Sequence, residues 1–146
     1  ELHKRGLADM VIVDYLQLMR WGGRVESRQL EVSNMMRAMK TAALTMEIPF
    51  VVLSQLNREV TNRVDQRPQL SDLRESGSVE QDSDIVLLLW RKDLNDRQDE
   101  QMHDNLLDLA VEKNRDGPMG HIQLLSQLEK GRFADFSAGE ATGYGM

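Results

Sequence analysis

The chain has 146 residues, a formal net charge of −6, 40% hydrophobic and 29% charged residues, and no cysteine. That length suits one domain with a sizeable core. The composition excludes disulfides and thiolate metal sites, and no apolar run approaches the ~18 residues of a membrane-spanning helix. The acidic balance argues against non-specific coating of nucleic acid but allows a few Lys and Arg on one surface. The absence of cysteine fits a reducing compartment.

The chain opens on Glu1 and runs quickly into an apolar strand, which reads as a piece of a longer polypeptide. Ala8 to Tyr15 holds Met10-Val11-Ile12-Val13 followed by Asp14, a short β-branched run expected to be buried on both faces of a parallel sheet. Trp21-Gly22-Gly23-Arg24 is a loop signal. Ser27 to Met46 predicts a long helix capped by Ser27, with Leu30, Met35, Met36, Met39, Ala43 and Met46 on its apolar face. Pro49 ends that region, and Phe50 to Gln55 predicts a second buried strand.

Leu56 to Leu70 is charged and reads as a mobile segment, and a long polar loop continues from Arg67 to Asp84. A helical turn is expected within it, around Ser78 to Gln81. Asp84 to Trp90 predicts a third buried strand, and Arg91 to Asp104 a solvated loop. Leu106 to Glu112 predicts a fourth strand. Asn114 to Gly120 is a dense turn signal before the alternating His121 to Leu125, so the pair reads as a hairpin. Arg132 to Phe136 predicts a short edge strand, and residues 137–146 a flexible tail. The fold class is therefore α/β, with strand, helix, strand, loop and strand followed by antiparallel strands. Such sheets bind ligands beyond the carboxyl ends of their strands, which here carry Asp14, Gln55 and Arg91.

Asp14 at the end of an apolar strand is either a cap or a carboxylate that holds Mg²⁺ through water. Gln55 and Asn57 either bond the turn backbone or sense a phosphate and orient a water. Arg74, Glu75 and Gly77 belong either to a solvated charged loop or to a phosphate contact, where an Arg is joined by backbone N–H groups that glycine leaves accessible. Lys113 and Arg115, two residues apart, either solubilise a hairpin or reach a triphosphate held by a neighbouring subunit. His3, His103 and His121 show no metal-ligand spacing. Ser54 lacks a nucleophile elbow, so a hydrolase triad is unsupported.

Taken together, these pieces resemble the bacterial replicative DNA helicases of the DnaB type, over nearly the whole chain. Asp9-Met10-Val11-Ile12-Val13-Asp14-Tyr15-Leu16-Gln17-Leu18-Met19 is similar to that family's Walker B strand, and Ser54-Gln55-Leu56-Asn57-Arg58 to its next motif. Ser71 to Asp84 resembles its DNA-binding loop, and Lys113 to Gly120 its Lys-x-Arg hairpin. The resemblance implies a RecA-like ATPase core, with a mostly parallel sheet flanked by helices and a C-terminal antiparallel hairpin. Residues 1–136 would be the C-terminal part of that domain. The ring would be a homo-hexamer in the cytoplasm of a bacterial or phage-infected cell. It would bind ATP and Mg²⁺, move along single-stranded DNA, and meet a primase and a helicase loader.

Residue by residue, the resemblance implies that Asp14 positions Mg²⁺ and water, and that Gln55 couples the γ-phosphate state to the DNA loop. Arg74, Glu75 and Gly77 would meet the DNA backbone. Lys113 and Arg115 would reach the neighbour's nucleotide. The phosphate-binding pattern G-x-x-x-x-G-K-S/T is not among these residues, and the family's catalytic glutamate would lie upstream. The isolated chain is therefore expected to be inactive, and its uncovered apolar surface to favour aggregation. Two alternatives stand beside this: another RecA-like ATPase, such as a recombinase or clock-type ATPase, and a truncated helicase that acts only as an interaction module.

Overall fold

The structure, a computed structural model, describes residue 6 and residues 8–63, 66–91 and 105–136, with residues 74–76 as backbone alone. The predicted tail, most of the segment expected as a loop after Arg91, and His3 and His103 lie outside the described residues. The chain divides into two compact units: Glu1–Arg58 with Leu70–Ser83, and Glu59–Gln69 with Asp84–Met146. The architecture is mixed α/β, with a parallel two-stranded sheet and an antiparallel four-stranded one.

In the first unit, β1 (Val11–Val13) pairs in parallel with β2 (Phe50–Val52), Val11 opposite Phe50 and Val13 opposite Val52. The pairing continues past the strands: Leu53 N–H donates to the Val13 carbonyl at 2.9 Å and Leu16 N–H to the Leu53 carbonyl at 2.8 Å. Parallel strands need a long crossover, supplied here by α1 (Arg28–Met46). Ser27 caps α1 as predicted, its Oγ accepting the Leu30 N–H at 3.2 Å. Glu47, left-handed at φ 56°, ends the helix ahead of Pro49.

The apolar face of α1 is shifted from the predicted one. Met35, Met36 and Met39 are buried as expected, but Val32 and the acidic Glu31 join them while Leu30 is exposed. This face packs on residues 70–76 and on α2 (Gly77–Asp82). The supposed long loop is thus a correction: Leu70–Ser76 is a 3-10 helix that runs directly into α2. Leu73 and Val79 are buried in it, and their burial outweighs the polar composition around them.

In the second unit, β3 (Ile85–Trp90), β4 (Leu106–Asn114), β5 (Gly120–Gln127) and β6 (Arg132–Asp135) form an antiparallel sheet in chain order. The pairing of β3 with β4 is interrupted by a bulge, with Val86 opposite Lys113 and Leu87 opposite Val111. The predicted hairpin turn lies between β4 and β5. Asn114 Nδ2 donates across it to the Pro118 carbonyl at 3.1 Å. A Cβ on Gly117 would fall 2.5 Å from that amide nitrogen, so the turn admits only glycine without rearrangement. Gly131, at φ +59°, turns the chain into β6. The segment expected to be mobile before residue 70 contains a 3-10 helix, Arg58–Asn62, with Val60 buried.

The strands are less covered than their apolar runs predicted. In β3, Val86 and Leu88 are buried, but Ile85, Leu87 and Leu89 are each more than half exposed. Ile12 in β1 and Val51 in β2 are exposed as well. Alternate side chains point to opposite faces, so these runs carry a second apolar face that the described residues do not cover.

Candidate functional site

Because β1 and β2 are parallel and in register, their carboxyl ends open on the same edge of the sheet. Asp14 follows β1 there with an exposed side chain. Ser54 and Gln55 follow β2 on the same edge, and Gln55 is exposed too. A lone exposed carboxylate fits a Mg²⁺ ion held through water, since that ion keeps several waters and takes few protein ligands. Among the described residues no group of three or more His, Asp or Glu has the arrangement of a protein-only metal site.

The two strand exits are tied together by Gln17, on the 3-10 turn Leu16–Leu18. Its Nε2 donates to Ser54 Oγ at 3.0 Å and to the Gln55 carbonyl at 3.2 Å. Its Oε1 accepts the Gln55 N–H at 3.1 Å. A cleft of about 270 Å³ lies beside this contact, lined by Gln17, Gln55, Asn57, Arg58, Asp72 and Leu73. Across it, the Asn57 N–H donates to the Asp72 carbonyl at 3.0 Å. The backbone two residues past Gln55 is thereby bonded to the helical segment that holds Arg74, Glu75 and Gly77.

Glu31 and Arg28 hold the loop behind Gln17. Arg28 donates from Nη1 to Glu31 and, at 3.0 Å, to the Met19 carbonyl; its Nη2 donates to the Gln17 carbonyl at 2.9 Å. Glu31 also accepts the Trp21 N–H at 2.8 Å. The Arg28 hydrogen bond, and next the Trp21 N–H, hold the Glu31 carboxyl below the ordinary glutamate range, against the upward push of burial.

Gly77 begins α2, exposed, and a Cβ built on it would meet no described residue within 4 Å. In the second unit, Lys113 is the penultimate residue of β4, and Arg115 follows the strand's end. Arg115 is held twice by Asp84: its N–H donates to the Asp84 carbonyl at 2.9 Å, and its Nε lies 3.4 Å from the carboxylate. Both side chains are about half exposed. His121 pairs with Arg67 through Nδ1 at 2.7 Å.

Residues 1–135 match the family model of the DnaB-like helicase C-terminal domain. The chain belongs to that family. It is 48% identical over 128 residues to the replicative DNA helicase DnaB of Mycobacterium leprae, covering 88% of this chain and 21% of that protein. It is 44% identical over 127 residues to the DnaB of Geobacillus stearothermophilus, covering 86% of this chain and 28% of that protein. It therefore spans less than a third of either relative. A solved ATPase domain superposes with a TM-score of 0.81 at 39% identity, over 88% of this chain and 44% of that one. A DnaB-like replicative helicase, solved in a study of its interactions with primase, gives 0.81 at 40% identity over 88% and 30%. No described helix is long and apolar enough to cross a membrane.

Within this DnaB-like domain the predicted site residues fall into two sets. Asp14 and Gln55 share a sheet edge, and the backbone of Arg74, Glu75 and Gly77 belongs to the same unit; Lys113 and Arg115 belong to the other. Sequence reasoning missed Gln17, the Arg28–Glu31 pair, and the ties through Asp72 and Asp84. The only pattern available was the i,i+3 spacing of Arg28 and Glu31 on a helix.

Proposed function

We propose that this DnaB-like domain supplies one half of an ATP-driven motor that unwinds duplex DNA as a homo-hexamer moving along a single strand. Mg²⁺, when bound, would neutralise part of the charge on the nucleotide's phosphates. Asp14 orients that ion through water, from the exposed end of β1. Gln55 meets the γ-phosphate side and changes its contacts as the phosphate departs. Lys113 and Arg115 reach from one subunit to the nucleotide of the next and offset the negative charge that develops there.

Arg74, Glu75 and Gly77 meet the phosphate backbone of single-stranded DNA. Such contacts read no bases, so binding is sequence-tolerant and weakens steeply with salt. The observation that carries the proposal is the Asn57 N–H to Asp72 carbonyl hydrogen bond of 3.0 Å. It gives any displacement of the Gln55 segment a direct route into the DNA-contacting segment. A primase and a loader are the expected partners of the assembled ring, by analogy with the solved relative and the family.

The test is Arg74→Ala in the full-length polypeptide. DNA-stimulated hydrolysis and strand displacement should both fall. Rates equal to those of the unsubstituted protein would remove the loop assignment.

A further inference from the structure

Gln17 lies three residues past Asp14 and takes no part in the roles proposed above. Both N–H donors of its carboxamide are in use, on Ser54 Oγ at 3.0 Å and the Gln55 carbonyl at 3.2 Å. Its Oε1 accepts the Gln55 N–H at 3.1 Å. One side-chain amide thus closes on both polar groups of the Gln55 backbone, as a neighbouring strand would. Only one orientation of the amide satisfies both bonds, since the Gln55 N–H needs an acceptor and its carbonyl a donor.

The base of this clamp is itself fixed. Leu16 is fully buried, and its N–H is bonded to the Leu53 carbonyl at 2.8 Å. The Gln17 carbonyl accepts Arg28 Nη2 at 2.9 Å, and Arg28 is in turn paired with Glu31. The Gln55 side chain remains exposed. We infer that Gln17 is a positioning residue: it fixes the backbone of Gln55 so that the Gln55 side chain meets the nucleotide from a set point, and so that its displacement passes to Asn57 and Asp72 rather than dissipating locally. The inference rests on the proposed role of Gln55. The chemistry demands a carboxamide of this length, because glutamate loses both donors and asparagine is one methylene short.

The test is a double-mutant cycle in the full-length polypeptide, reading ATP hydrolysis with and without single-stranded DNA. Gln17→Leu should lower the DNA-stimulated rate by about ten- to a hundredfold, the size expected when a reacting group is displaced by about an ångström. Combining it with Gln55→Ala should cost nothing beyond Gln55→Ala alone, since both changes remove one function. Gln17→Glu, close in volume, keeps an acceptor for the Gln55 N–H but sets a carboxylate oxygen against the Gln55 carbonyl, so it should lower the rate as well, and it carries the test if Gln17→Leu does not fold. Losses that multiply in the double variant would show a general structural role and overturn the inference. So would unsubstituted rates for both Gln17 variants. If Gln55→Ala is itself without effect, the functional reading of Gln55 fails first, and the inference falls with it.

Discussion

Glu31 shows how a single acidic residue can organise a site it does not enter. It is nearly buried on α1, yet it accepts hydrogen bonds from Arg28 and from the Trp21 N–H. Because its folded pKa is depressed, its contribution to stability is full above the unfolded carboxylate range and is lost as pH falls through the folded value. Glu31→Gln should therefore lower the melting temperature at neutral pH, and the difference from the unsubstituted protein should shrink in acid. Thermal melts across a pH series would check this. Gly77 supports a sharper prediction. No described residue would come within 4 Å of a Cβ there, so Gly77→Ala should be neutral to about 1 kcal/mol stabilising. Single-stranded DNA affinity should nonetheless fall, measured by titration at fixed salt. Undiminished affinity would mean that DNA does not approach the backbone at Gly77.

At the scale of elements, the packing of residues 70–82 on α1 makes Leu73 a test of whether the segment proposed to contact DNA is a rigid part of the fold. Leu73→Ala should cost about 2–5 kcal/mol in denaturant unfolding. The Arg115–Asp84 pair should behave oppositely. With both side chains about half exposed, such a pair is worth about 0–1 kcal/mol, so Arg115→Ala should barely change stability. If Arg115 acts in trans in a ring as proposed, the same change should reduce the full-length protein's hydrolysis by about 10³-fold or more, as loss of a trans-acting arginine does elsewhere.

The elements most legible in the sequence were those with one dominant local signal. Ser27 and the methionine spacing located α1, and Asn114 to Gly120 located the turn between β4 and β5. Residues 70–76 were misread because Leu73 is the one apolar residue there whose described side chain is buried, too little to reveal a helical turn beneath so many polar residues, whereas the turn expected at Ser78 to Gln81 falls within α2. Gln17 was illegible for another reason. Its three partners lie 37 and 38 residues away, and no local pattern encodes them.

For the whole molecule, the family was carried by several motifs in order, whereas the exposure of the strands came only from the structure. Ile12, Val51, Ile85, Leu87 and Leu89 form apolar strand faces that the described residues leave open. The P-loop pattern is absent from the 146 residues, so the isolated chain should show no magnesium-dependent ATP hydrolysis above background. Robust hydrolysis by the purified chain would contradict the division of the motor proposed above.

In the proposed motor, Gln55 joins nucleotide state to DNA movement. The most direct measurement is strand displacement on a forked duplex by the full-length polypeptide carrying this chain, with ATP hydrolysis followed in the same reaction, for the unsubstituted protein and for Gln55→Ala. The unsubstituted protein should unwind the fork in Mg²⁺ and ATP, and Gln55→Ala should still bind nucleotide and single-stranded DNA but lose DNA-stimulated hydrolysis and unwinding together. Unwinding that survives Gln55→Ala, or none by the unsubstituted protein, would contradict that coupling.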